Sequence, residues 1–349
     1  MLRTALPILV CLASLLLVSK LIDAGLRSRG EMVDAKYDVF VESKDEIDVL
    51  FFGSSRVYRG IMPAVFDREA TRLGYPVRSF NLGMRGMPPH ETNELLRRIL
   101  ETKPARLRWI FVELADWVSP TRENQFTQRT VGWHDTSETV SALRTSWLQD
   151  AELEPKLTDM RTHLMQYGAS LIALGVADEA VRNWYGGALK SGPDRSSLWE
   201  ELYRSEQGFA RFTPEERTLG RMGRRHSDFI QNRDEYLTYI PRIPQLNAED
   251  ASTEHYNLVA LRDQIESIEA AGIQVIYMIL PSYEAVPVMH RLADRGDVPQ
   301  LAAFDDPRSY PELYRVERRF DERHLELPAA RRLSTLLATK FAALFPEDH

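Results

Sequence analysis

A chain of 349 residues, 44% hydrophobic and 27% charged, has ordinary globular composition and ample length for a core. Its formal net charge of −7 argues against a general nucleic-acid binder, which needs a basic face. One cysteine, Cys11, excludes an internal disulfide and a thiolate cluster, and the eight histidines form no HxH or HxxxH pair, which speaks against a metal site.

The first element is ALPILVCLASLLLVSKLI (5–22), broken only by Lys20. At about 1.5 Å per residue it crosses most of a bilayer core if Lys20 snorkels to the interface. Three readings compete. One is a retained anchor. Another is a signal peptide cleaved near Ile22-Asp23-Ala24. The third, a buried soluble helix, lacks the polar stripe it would need. Cys11 follows Val10 inside the apolar run, which sets aside a lipoprotein. Arg3 lies on one side and Arg27 and Arg29 on the other, so charge hardly orients the segment. We expect residues 1–25 to be a transmembrane anchor or signal peptide, with the bilayer as partner. The bulk of the chain is then extracytoplasmic, periplasmic or extracellular.

A charged connector (26–46) precedes alternating elements. IDVLFFG (47–53) reads as a buried strand and IMPAVFDREATRLG (61–74) as a helix closed by Gly74. VRSFNLG (77–83) is a strand, HETNELLRRILETK (90–103) a helix, and RWIFVEL (108–114) a strand. Residues 120–250 turn polar and helical, and include the basic stretch RTLGRMGRRH (217–226), either a solvated helix face or a contact for anionic headgroups or an acidic polymer. The alternation resumes with a helix (256–272), the strand IQVIYMILP (273–281), a short fifth strand within RVERRFDERHLE (315–326) and a closing helix (327–345). This order implies right-handed βαβ units and a parallel sheet. The expected fold is α/β, a three-layer α/β/α flavodoxin-like sheet with an N-terminal transmembrane helix. Residues 26–119 and 251–349 form its two parts, around a helical insertion at 120–250.

Sites in such sheets lie beyond the carboxyl ends of the strands. Gly53, Ser54, Ser55 and Arg56 follow the first strand; Gly83, Arg85 and Gly86 the second; Asp116 and Trp117 the third; Pro281 and Ser282 the fourth. Asp321 and His324 stand near the last. These are the parts of an acyl-transfer site. A serine hydroxyl needs a base, here His324, and the base needs an orienting acceptor, which Asp321 is near enough to supply. A developing oxyanion needs fixed N–H donors, each worth about 2.7–4 kcal/mol of barrier. Gly86, without a side chain, lets its N–H approach a substrate.

The blocks GSSR, NLGMRG (81–86) and DERH (321–324) resemble those of the SGNH (GDSL-type) hydrolases. The resemblance makes Ser55 the nucleophile, with Ser54 replacing the usual Asp. It makes Gly86 an oxyanion donor, and His324 and Asp321 the base and its partner. The third block departs from G-x-N-D: in VELADWV (112–118), Asp116 and Trp117 stand where Gly and Asn are expected. The missing Asn leaves one oxyanion donor open, a place the Trp117 indole N–H could take. A G-S-S block behind an anchor is closest to the membrane-tethered branch, which includes teichoic-acid D-alanylation and alginate O-acetylation proteins. That implies a serine esterase or O-acyltransferase acting on envelope polymers, often beside a membrane-bound O-acyltransferase, with no metal or organic cofactor. The competing expectation is an inactive, membrane-anchored structural subunit using the fold for docking. A third possibility, a phosphodiester or sulfate-transfer enzyme, calls for a metal-ligand cluster that the sequence does not show.

Each residue also has a plainer role. Ser55 is an ordinary turn residue, and Asp321 an ordinary N-cap for the last helix. Gly86 serves to turn the chain before Pro88 and Pro89. Arg56 and Arg85 pair with acids such as Glu113 or bind an anionic substrate. Tyr58 is packing and His90 a helix start, and no role is assigned to Trp133 or His134.

Overall fold

The computed structural model describes residues 31–115, 117, 120–149, 151–172, 195–249 and 254–346, with position 14. The expected membrane segment, apart from that position, and Asp116 lie outside the described residues. Among the described residues no helix is long and apolar enough to cross a membrane.

Five parallel strands, β1 (Val49–Phe52), β2 (Ser79–Asn81), β3 (Trp109–Glu113), β4 (Gln274–Ile279) and β5 (Leu301–Ala303), form one sheet in the order β2-β1-β3-β4-β5. Val49 pairs with Ser79 on one side and Trp109 on the other, and Glu113 pairs with Met278. The inner strands are continuous apolar runs, as a sheet covered on both faces requires. Leu50, Phe52, Ile110, Val112, Val275 and Tyr277 enter one core; Val49, Phe51, Trp109, Phe111, Ile276 and Met278 enter the other.

The helices on the described chain are α1 (Glu31–Ser43), α2 (Ser55–Gly60), α3 (Pro63–Arg72), α4 (Pro89–Glu101), α5 (Gln128–Trp133), α6 (Thr136–Leu148) and α7 (Leu153–Leu171). They continue with α8 (Arg195–Ser205), α9 (Pro214–Thr218), α10 (Gly220–Gln231), α11 (Arg233–Tyr239), α12 (Ile243–Asn247), α13 (Glu254–Glu269), α14 (Pro287–Asp294) and α15 (Leu327–Leu344). Phe40 of α1, Leu95 and Ile99 of α4, Tyr203 of α8, Ile268 of α13 and Met289 of α14 fill the first core. Phe66 of α3 and Leu333, Leu337 and Phe341 of α15 fill the second. Phe341 is fully buried, its ring 5.1 Å from that of Trp109 and 5.6 Å from Phe66. Most of 120–250 is helical, and its Tyr203, Phe209, Ala210, Phe229 and Ile243 help complete both cores.

Two expectations are corrected. The charged connector contains α1, whose Val33, Val39 and Phe40 are buried; Asp38 and Glu42 are exposed, whereas Lys36 is buried. The Lys36 ammonium is sealed between the Tyr58 and Tyr203 rings, 4.4 and 4.9 Å away, and donates to the Gly83 carbonyl at 2.6 Å. Burial, then the Arg59 charge, push its pKa well down. The fifth strand is Leu301–Ala303, not a part of 315–326, where only an isolated antiparallel bridge joins Arg319 to Leu325. Three residues at a sheet edge carry no readable period. The charged run instead folds around the buried Arg319 guanidinium, which donates to the carbonyls of Leu313, Glu322, Asp321 and Pro281.

Candidate active site

Strand order reverses between β1 and β3, which opens a crevice at their carboxyl ends. β1 runs into Gly53, where a Cβ would meet the Glu113 Cβ at 2.5 Å, so only glycine lets the two strand ends approach. Ser54 N-caps α2, its Oγ accepting from the Arg56 N–H at 3.3 Å. Glu113 secures the turn from the neighbouring strand. Its Oε2 accepts the Ser54 N–H at 2.5 Å and its Oε1 is ion-paired with Arg56 Nε at 2.5 Å. Ser55 thus occupies the first turn of α2, where backbone N–H groups have no intrahelical acceptor. The far end of α2 is held by the buried Asn81 amide, which donates to the Val57 and Ile61 carbonyls at 2.8 and 2.7 Å.

The tail returns to this point. His324 Nε2 lies 2.7 Å from Ser55 Oγ, and its Nδ1 lies 2.8 and 2.9 Å from the two Asp321 carboxylate oxygens. The acceptor at Nδ1 fixes the tautomer: Nδ1–H donates to Asp321, leaving Nε2 to accept the serine proton. Asp321 is fully buried and also accepts the N–H groups of Arg323 and His324 at 2.8 and 2.9 Å. Burial alone would raise its pKa. The hydrogen bond and charge of His324, the Arg225 charge and the Arg323 N–H outweigh it and hold the carboxyl at about 2. The competing N-cap role falls away, because the N-cap of α15 is Glu326. Phe212 and Phe320, stacked 3.7 Å apart, wall the imidazole, with the Phe212 ring 5.8 Å from it.

Ser55, His324 and Asp321 are therefore brought together. Gly86 sits on the exposed turn after β2 with φ 63, a left-handed conformation that suits glycine, and open space lies where its Cβ would be. The loop carrying it is tied to β1 by the Met84 N–H, which donates to the Gly53 carbonyl at 2.9 Å. Among the described residues no hydrogen bond joins Gly86 to Ser55. Trp117 is buried, its ring edge-on to His90 at 4.9 Å, and with Gly53, Ser54 and Glu113 it lines a cavity of about 20 Å³. Arg56 takes the pairing role with Glu113. Arg85 pairs with Glu216 at 3.4 Å on the exposed turn.

Sequence reasoning missed Arg319, whose guanidinium shapes the loop under Asp321, and Arg225 beside that carboxylate. Both sat in charged runs with no sign of which member turns inward. It also missed a buried polar cluster behind Trp117. His90 Nδ1 lies 2.6 Å from Glu138 Oε1, and His134 Nε2 lies 3.0 Å from His163 Nδ1. His134 Nδ1 donates to the Thr130 carbonyl at 2.6 Å, so His163 Nδ1–H donates to His134. Burial pushes all three imidazoles down to about 3 and Glu138 up to about 8. Burial favours the uncharged form of every member, and His90 Nδ1 and Glu138 Oε1 share one hydrogen bond. Trp133 stacks on His134 at 3.6 Å and closes the cluster.

No family model matches this chain, and no curated protein does either.

Proposed function

We propose that the chain is a serine esterase or O-acyltransferase of the SGNH (GDSL-type) kind, built on a flavodoxin-like three-layer α/β/α fold. The carrying observation is the continuous chain Ser55 Oγ, His324 Nε2, His324 Nδ1 and Asp321 at 2.7 and 2.8 Å. The strand order 2-1-3-4-5 and the position of Ser55 just after β1 support the fold reading. Ser55 Oγ attacks an ester carbonyl as its proton passes to His324 Nε2, and Asp321 stabilises the imidazolium. The tetrahedral oxyanion is received by the N–H groups of Ser55 and Gly86. The imidazolium then protonates the leaving alcohol, giving acyl-Ser55. Water or a sugar hydroxyl, deprotonated by His324, attacks the acyl-enzyme and frees the serine. The apolar 5–22 segment supports membrane tethering, and the resemblance to the membrane-tethered branch supports placing the chain outside the cytoplasm, beside an acyl-donating membrane partner and an envelope polymer.

The altered third block and the exposed Val140, Trp147, Leu153, Leu157 and Leu164 favour a second reading, a docking subunit that does no chemistry. A fluorophosphonate probe separates the two. The enzyme reading expects Ser55 to be labelled, and Ser55→Ala to lose both labelling and p-nitrophenyl acetate hydrolysis. Folded wild-type chain that takes no label refutes it.

A further inference from the structure

Three contacts seat the basic stretch of the insertion on the catalytic loop. The Arg217 guanidinium grips the Glu326 carboxylate, with Nη2 2.7 Å from Oε2. His226 Nδ1–H donates to the Phe320 carbonyl at 2.7 Å, and its ring stacks on Phe320 at 4.6 Å. Between them Arg225 Nη2 reaches Asp321 Oδ2 at 3.4 Å and also pairs with Glu322. Arg221 and Arg224 of the same helix point to solvent. Of the arginines on α10, Arg225 alone faces inward, and it meets the carboxylate that orients the base.

We propose that Arg225, carried by the insertion, is a positioning residue for the catalytic base, holding Asp321 ionised and aligned on His324 Nδ1. This rests on the serine-hydrolase reading. Two oxygens of a buried carboxylate need partners on both sides. Oδ1 has the imidazole and two backbone N–H groups, whereas Oδ2 has only the shared imidazole contact and Arg225. The other charged and titratable groups around it are placed differently. The Arg319 guanidinium bonds the Asp321 carbonyl, the Arg323 side chain pairs with Glu284, Tyr236 lies at the edge, and Glu322 shares the Arg225 fork. Glu322 therefore competes for the same cation.

The sign of the effect is fixed. A cation beside the Asp321–His324 pair opposes protonation of the pair, so removing it raises the pH at which labelling sets in. Labelling of the full-length chain by a fluorophosphonate is measured from pH 5 to 9. Arg225→Met is expected to move the acid limb of the rate up by about one pH unit. Arg225→Lys, which keeps the charge, should leave it within about 0.3 unit. Glu322→Gln, which frees Arg225 for Asp321, should move the limb down. A lowered plateau with an unmoved limb in Arg225→Met, or an unmoved limb in Glu322→Gln should the first variant not fold, overturns the assignment. Wild-type chain that is never labelled refutes the hydrolase reading itself, a separate failure.

Discussion

The buried cluster of His90, His134, His163 and Glu138 predicts a fold that loses stability in acid over a defined interval. The two kinds of group pull in opposite directions. Each imidazole has its folded pKa lowered from 6.5 to about 3, so the unfolded chain binds its protons first. That stability is present above pH 6.5 and is lost as the pH falls towards 3. Glu138 has its folded pKa raised from 4.5 to about 8, so the folded chain binds the proton first and gains as the pH falls from 8 to 4.5. Between pH 7 and pH 5 the paired His90 and Glu138 roughly offset each other, each changing by about 2 kcal/mol. His134 and His163 are left in the cluster and together remove about 4 kcal/mol; Asp67, whose carboxyl burial raises to about 6, returns about 1 kcal/mol, and His290, raised by its Asp305 partner, also acts in the returning direction, so a net loss remains. Asp321 adds nothing in this interval, because its lowered pKa matters only below about pH 4. Urea unfolding followed by far-UV circular dichroism at half-unit pH steps measures the slope. The wild-type chain should lose stability steadily from pH 7 to 5, and His134→Gln with His163→Gln should flatten the curve. A flat wild-type curve, or an unchanged slope in the double variant, refutes the assignment of buried neutral imidazoles.

Other substitutions probe the site and the cores. Asp321→Asn should leave the fold intact but lower the labelling rate about 10³–10⁴-fold, because the imidazole loses the acceptor that fixes its tautomer. Glu113→Ala removes the acceptor of the Ser54 N–H and the partner of Arg56, so the nucleophile turn loosens. Labelling should fall at least about tenfold, with the thermal midpoint also lowered. Phe341→Ala should destabilise by about 3–5 kcal/mol in urea, since several rings pack against it. Asn81→Ala takes the donor from the Ile61 carbonyl and the acceptor from the Gly83 N–H, while the Val57 carbonyl keeps the Ile61 N–H, and should cost about 1–3 kcal/mol for each group left unpaired, read in the same titration.

The inner strands could be read from sequence because a doubly covered sheet demands unbroken apolar runs, and VLFF and WIFVE supply them. That Ser55, Asp321 and His324 would meet could be expected because an alcohol, an imidazole and a carboxylate match one another chemically, although only Ser55 follows a strand end. β5 could not, since three edge residues between an exposed loop and an aspartate pair have no pattern to detect. Nor could the inward turn of Lys36, Arg225 and Arg319. Charged residues on helices and loops default to solvent, and only the tertiary arrangement of carbonyls, rings and carboxylates shows which are drawn in. The buried histidines were invisible for a similar reason. His90, His134 and His163 are far apart along the chain, and α4, α5 and α7 bring them together. Glu113 alone left a trace, as an acid closing a run of five strand residues that are all buried.

The amine of Lys36 hangs on the segment that looks most dispensable. Shortening the N-terminus as far as residue 46 would unplug the amine that braces the Gly83 carbonyl next to α2. It would also bare the tyrosine pair around it. Trimming that stops before Glu31 keeps this brace, so the two cut sites should yield proteins of different competence from nearly the same length of chain.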